Sequence, residues 1–228
     1  MKTGVLLSGC GVYDGSEVQE SVLALLVLSQ NNMEYLCLSP NINQHHVVNH
    51  ISGKEISESR DVMRESSRIS RGKITSIKEL NKDDLSSLVI PGGFGVAKNL
   101  SNWAFDGPSS EVIPEVKDLI LHCIECEKPI VALCISPTLI AKVLEGTGKS
   151  PHLTLGSIDG KSEYNIDEMH KAIESIGAKS LDTSINEICV DEHLKIISAP
   201  CYMMDVSIDE IYLNIKMAIE KLLCFLNK

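Results

Sequence analysis

The feature that most constrains this chain is the alternation of short apolar runs, rich in Val, Ile and Leu, with segments of helical period. TGVLLSG (3–9), YLCLS (35–39), SLVIPGG (87–93), PIVALC (129–134), LTLGS (153–157), EICVD (187–191) and KIISAP (195–200) read as strands. The stretches 16–31, 58–70, 111–127, 137–145, 163–176 and 206–226 read as helices. In the last, Ile208, Ile211, Tyr212, Ile215, Ala218, Ile219, Leu222 and Leu223 share one face. Strands apolar at nearly every position are buried on both faces, which predicts an α/β fold with a mostly parallel sheet between two helical layers. A short polar link, EHL, joins 187–191 to 195–200 and predicts a C-terminal hairpin. The irregular stretch 40–57 reads as an excursion from the sheet, so residues 1–228 are read as one domain.

Composition narrows the function classes. A net charge of −10 argues against a general nucleic-acid binder, and SRISRGK (67–73) is too short a basic run to reverse that. Apolar runs such as LALLVL (23–28) fall short of the ~20 residues of a membrane span. A strand beginning at Thr3 does not fit the order of a secretory signal, and a cytoplasmic protein is expected. In that setting the eight cysteines are expected to be reduced thiols, with Cys37, Cys189 and Cys224, which lie in apolar patterns, expected in the core. Cys123 and Cys126 form a lone CxxC late in a helix, where neither a redox pair nor a zinc site is expected. No metal or cofactor is expected.

Ligands of open parallel sheets sit beyond the carboxyl ends of the strands. Four segments lie there: SGCGVYDGSE, PGGFG, CISP and SAPCYM. Cys134 falls on the turn from strand to helix, with Pro137 suited to the first helical turn. Free N–H groups at a helix start favour thiolate and can lower a cysteine pKa from ~8.5 to ~3.5. A buried cysteine that merely ends a strand has the same local pattern, and position alone does not separate the two. Gly92 and Gly93 allow close backbone approach, and the amides of Gly93 and Ile135 are candidates for an oxyanion hole. Ser16 is the expected N-cap of the first helix. Glu17 in its first turn is either simple helix stabilisation or a proton shuttle reaching Cys134, with Glu20 ranked behind it. Cys10 and Cys201 are the competing thiols.

SGCGVYDGSE, EISESRDVMRESSRISRG, VIPGGFGVAKNLSNWA and ALCISP occur in this order, and together the chain resembles the ElbB-type proteins. These are a branch of the superfamily of PfpI-like proteases and class I glutamine amidotransferase domains, and the resemblance spans essentially the whole chain. It implies a flavodoxin-like sandwich with a nucleophile at Cys134, a hydrogen-bonded glutamate at Glu17 and an oxyanion hole at Gly93 and Ile135. It also implies a weak glyoxalase activity independent of glutathione and metal, a link to isoprenoid production, and a homodimer.

One departure redirects the chemistry. Proteases and amidotransferases of this superfamily carry a histidine beside or near the nucleophile, and here the next residue is Ile135. His152, His170 and His193 fall outside the expected motif, with His152 the best of the three. Amide cleavage needs a proton donor for the leaving amine, so proteolysis and glutamine hydrolysis are disfavoured. Attack on a small reactive dicarbonyl has no leaving amine, and glyoxal or methylglyoxal is the expected substrate. The rivals are a redox-sensing protein with an oxidisable Cys134, and a deglycase.

Overall fold

The structure, a computed structural model, describes residues 1–227. Strand β1 (Lys2–Leu6), helix α1 (Val18–Gln30) and strand β2 (Tyr35–Ser39) form the first unit. The 40–57 excursion contains a small ribbon, β3 (Val47–Asn49) and β4 (Lys54–Ile56), and leads to α2 (Val62–Ile69) and β5 (Ile74–Ser76). Next come β6 (Leu85–Ile90), a π-helical turn (Val96–Leu100), the short α3 (Trp103–Asp106) and α4 (Pro114–Glu125). β7 (Ile130–Leu133), α5 (Ser136–Leu144), β8 (His152–Leu153), α6 (Ile166–Ser175) and β9 (Lys179–Ser180) follow. The chain closes with β10 (Cys189–Asp191), β11 (Ile196–Ala199) and α7 (Ile208–Leu226).

Seven strands form the central sheet in the order β10-β11-β7-β6-β1-β2-β5. Neighbours are parallel except β10, which pairs antiparallel with β11 as the expected hairpin. The apolar strands divide their side chains between two cores because successive residues point to opposite faces. Leu88 and Ile90 pack with Leu119 of α4 and Ile140 of α5. Val89, Val131 and Ile197 pack with Val27 of α1 and Ile215 of α7. The result is the expected three-layer, flavodoxin-like sandwich.

Two local expectations change. Of the 153–157 run only Leu153 is strand, within β8, which pairs with β9 in a separate two-stranded patch. Gly156, at φ 116, turns the chain away. The edge strand β5 has no counterpart among the expected strands, because three residues following RGK carry too little pattern.

The carboxyl ends of the strands are tied together by backbone. Phe94 N donates to Val12 O at 2.7 Å, Gly95 N to Gly15 O at 2.8 Å, and Glu17 N to Gly92 O at 2.9 Å. Cys134 N donates to Ala199 O at 2.9 Å, and the Ser136 hydroxyl to Pro91 O at 2.9 Å. All four segments singled out in the sequence therefore meet at one sheet edge.

Candidate active site

Cys134 follows β7 directly and has φ 58. A side-chain-bearing residue in this left-handed region costs of order 1–3 kcal/mol, and such strain concentrates at functional sites. Asn32, Arg71, Glu127 and Lys195 share the conformation in exposed or half-exposed turns, whereas Cys134 and Cys201 are buried. α5 starts at Ser136 with Pro137 in its first turn, so Cys134 stands on the elbow between strand and helix.

The carboxyl against this thiol belongs to Glu20, which corrects the expectation for Glu17. Glu20 is fully buried and hydrogen-bonds the Cys134 side chain. Its Oε2 accepts from Gly92 N at 2.8 Å and its Oε1 from Tyr202 N at 3.1 Å. The physical reason is a one-residue shift in the helix start. The Ser16 hydroxyl is taken by Ser8 N at 2.8 Å, leaving Glu17 as the N-cap, where its Oε2 accepts from Glu20 N at 2.5 Å. Glu20 then becomes the third helical residue and faces inward over the strand ends. Glu17 remains half-exposed and borders the cavity described below. The signal was present in SEVQE: once Glu17 is the cap, the glutamate three residues on is the one in the helix.

Burial, reinforced by the Glu17 charge, pushes the Glu20 pKa up to about 8, against the pull of the Tyr202 and Gly92 amides. Burial and the Glu20 charge together hold the Cys134 thiol well above its usual range. The amides of Gly93 and Ile135 pull the thiol down, as expected from the sequence, but they do not prevail. The resting thiol is thus protonated, contrary to the low-pKa expectation. The two groups titrate as a coupled pair, because protonating Glu20 removes the repulsion that disfavours thiolate.

Gly92 makes this contact possible. A Cβ there would stand 2.4 Å from Cys134 Cβ and 2.8 Å from both Cys134 Sγ and Glu20 Oε2. Beside the sulfur opens a cavity of about 250 Å³. Its wall includes Gly93, Ile135, Phe94, Trp103, Tyr164 and Met169, with Glu17 on one side.

The other sequence candidates do not border the cavity. Cys201 is wholly buried and donates its thiol to Asn214 Oδ1 at 3.7 Å. Half-buried Cys10 is held above its usual pKa by burial and by Glu65 on α2. None of His152, His170 and His193 borders the cavity. His152 lies in the side patch, and His193 in the β10–β11 turn at the opposite end of β11 from Cys134. Cys123 is buried in the core while Cys126 is exposed, as suits two unrelated thiols on one helix end; Cys37 and Cys189 are buried as expected, whereas Cys224, near the end of α7, is exposed.

No family model matches the chain. It is 36% identical to the rat "ES1 protein homolog, mitochondrial" over 226 residues, covering 97% of this chain and 83% of the relative. It is 37% identical to the human "Glutamine amidotransferase-like class 1 domain-containing protein 3, mitochondrial", covering 97% of this chain and 82% of that protein. The crystal structure of an isoprenoid biosynthesis protein with an amidotransferase-like domain from Ehrlichia chaffeensis superposes with a TM-score of 0.89. The two are 33% identical, and the match covers 99% of each chain. Glyoxalase III from Candida albicans superposes with a TM-score of 0.60 over 97% of each chain; at 12% identity this likeness is one of fold.

Proposed function

This chain belongs to the family of ES1 and glutamine amidotransferase-like class 1 domain proteins, and we propose that it is a glutathione- and metal-independent glyoxalase, a lyase converting glyoxal or methylglyoxal to glycolate or lactate. The observation that carries the reading is a Cys134 thiol, held on a left-handed elbow, with the buried Glu20 carboxyl against it and a cavity beside it. The named activity of the Candida protein supports it as a precedent on the same fold.

In its ionised form, which gains population as pH rises toward about 8, Glu20 takes the thiol proton as the sulfur attacks an aldehyde carbon. The hemithioacetal oxyanion is held by the amides of Gly93 and Ile135, which already act on the sulfur. Glu20 has both oxygens engaged by backbone amides, whereas Glu17 borders the cavity. Glu17 therefore keeps the shuttle role: it moves the C1 proton to C2 through an enediol, leaving a thioester. Water cleaves the thioester, releasing the 2-hydroxy acid and restoring the thiol. The net change is addition of one water, with no external oxidant or reductant. No amine leaves, so the chemistry has no use for the histidine that the cavity lacks.

The test is product formation by purified protein, read by NMR as glycolate from glyoxal. Full consumption by Cys134→Ser would make the mechanism wrong. Negligible turnover with stoichiometric peroxide oxidation of Cys134 would favour the redox-sensing alternative. Deglycation would be supported only by release of an adducted amine faster than free glyoxal is cleared.

The reading treats residues 1–228 as one domain. It includes a homodimer, for which Val18, Val22 and Leu26 form an exposed apolar stripe on α1. Light scattering giving only the monomer mass would remove that part. The cytoplasmic placement stays with the proposal, although the rat and human relatives are named as mitochondrial. Among the described residues no helix is long and apolar enough to cross a membrane.

A further inference from the structure

The cavity beside Cys134 is far larger than a two-carbon dialdehyde requires, and its chemistry is uneven. At about 250 Å³ it approaches the ~300–1,000 Å³ of sites that enclose drug-sized molecules. Its wall is mainly side-chain carbon, from Val12, Phe94, Trp103, Ile135, Met169 and Met203. Among the described residues no Lys, Arg or His borders it, and the carboxyl of Glu17 does.

The approaches add negative charge. One adjoining cleft carries Glu163 and Asp205, and another carries Glu55 and Glu163; both share Tyr164 with the cavity. The nearby cation, Lys98, is already engaged. Its ammonium donates to Tyr13 O at 2.9 Å, meets His46 Nε2 at 3.2 Å and lies 4.7 Å from the centre of the Phe94 ring. A substrate carboxylate would therefore lose its water without gaining a cation, a poor exchange in a low-dielectric site. An uncharged aromatic or branched group would instead trade water for carbon and for ring faces.

We propose that the site selects uncharged 2-oxoaldehydes with an aromatic or branched apolar substituent, in preference to glyoxal, and rejects anionic ones. The substrate class rests on the glyoxalase reading, while the selectivity of the cavity does not. The reacting carbonyl sits at Cys134, and the substituent points toward Phe94, Trp103 and Met169. Phenylglyoxal would be converted to mandelate by the same addition of one water.

The two layers are separated by pairing turnover with alkylation. In turnover, kcat/KM is expected to rise by about tenfold or more from glyoxal to phenylglyoxal, since each matched apolar group in such a pocket discriminates by ~10-fold or more. 4-Carboxyphenylglyoxal, its anionic counterpart, is expected to be turned over about tenfold or more slowly than phenylglyoxal. In alkylation of Cys134, followed by peptide mass and normalised to a free thiol, phenacyl bromide should exceed iodoacetamide. Iodoacetamide should exceed iodoacetate by about tenfold or more. Ala104, exposed at the cavity rim, offers a second handle: Ala104→Trp should slow phenacyl bromide more than iodoacetamide. Equal normalised rates for iodoacetate and iodoacetamide, or faster turnover of glyoxal than phenylglyoxal, would overturn the selectivity. The alkylation order without turnover of any aldehyde would uphold the selectivity and sink the glyoxalase reading.

Discussion

Strands β7 and β11 are neighbours in the sheet and end alike, each delivering a cysteine into left-handed backbone, φ 58 at Cys134 and φ 47 at Cys201. Both are buried, and burial raises both thiols well above their usual pKa. They part in what each sulfur meets. Cys134 meets Glu20, the amides of Gly93 and Ile135, and an open cavity. Cys201 meets Asn214 of α7 and the backbone amide of Cys134, feels the Glu20 charge without a hydrogen bond to it, and lies outside the cavity wall. Strain and pKa are therefore common to both, and what separates a candidate nucleophile from a packed thiol is a proton acceptor with room for a substrate.

The largest expected effect breaks the comparison at the nucleophile itself. Cys134→Ser should lower kcat by roughly 10³-fold or more, as loss of a nucleophile does elsewhere. Gly92→Ala should be comparably damaging with the thiol still present, because the new Cβ would overlap the Cys134 side chain. Steady-state assays of both variants, beside a thiol titration of Gly92→Ala, check this. An active Gly92→Ala would mean that the Cys134–Glu20 contact is dispensable.

Glu20→Gln comes next and pulls reactivity away from catalysis. Losing the proton acceptor should cost about 10²–10⁴-fold in turnover. Removing the Glu20 charge also removes one of the causes that raise the Cys134 pKa, so alkylation above about pH 8, where wild-type Glu20 is ionised, should speed up. Parallel measurement of both rates is decisive: a fall in both would make Glu20 a structural support.

Much of this comparison is legible in the chain. The apolar strands make the sheet, and CISP after a strand makes the elbow. The glutamate that contacts the thiol is missed because two cap residues compete, and the winner depends on a contact eight residues back: Ser8 N claims the Ser16 hydroxyl. That contact exists only once β1 and the loop after it are folded. The protonated resting thiol is hidden for a related reason. Local sequence shows the helix start that favours thiolate, but not the burial and the neighbouring carboxyl that outweigh it. The short β5 and the β8–β9 patch rest on pairing partners far along the chain, where three or two residues carry no period.

A smaller effect concerns stability. Glu20 holds its proton in the native state up to about pH 8, while in the unfolded chain it releases it near 4.5. The native state thus binds more protons in this window, and stability falls as pH rises through it. The contribution is fully present below the unfolded pKa and is lost as pH passes the folded one, an effect of order a few kcal/mol. Urea unfolding of wild type and Glu20→Gln between pH 4.5 and 9 should show a gap that narrows toward high pH. Glu17→Gln should move the wild-type midpoint lower, because the Glu17 charge helps to raise Glu20. A gap independent of pH would mean that Glu20 is ionised throughout.

The smallest effect is expected at the other cysteine. In Cys201→Ala, Asn214 Oδ1 keeps its bond from the residue 201 amide, 3.1 Å in the present structure, and Nδ2 keeps Glu187 O at 2.8 Å. No buried polar atom of Asn214 is orphaned, so the cost is the cavity left by one sulfur, about 1–2 kcal/mol. Turnover should change by less than the single proton acceptor Glu20 is worth, and alkylation of Cys134 should keep its rate. The left-handed φ supplies a sharper version: Cys201→Gly removes the same sulfur but relieves the backbone, which favours glycine. Thermal unfolding should therefore place the glycine variant at or above the alanine variant. If either change at 201 abolished turnover while Cys134 still alkylated normally, the two strand ends would be working as one site rather than as a nucleophile and its packed neighbour.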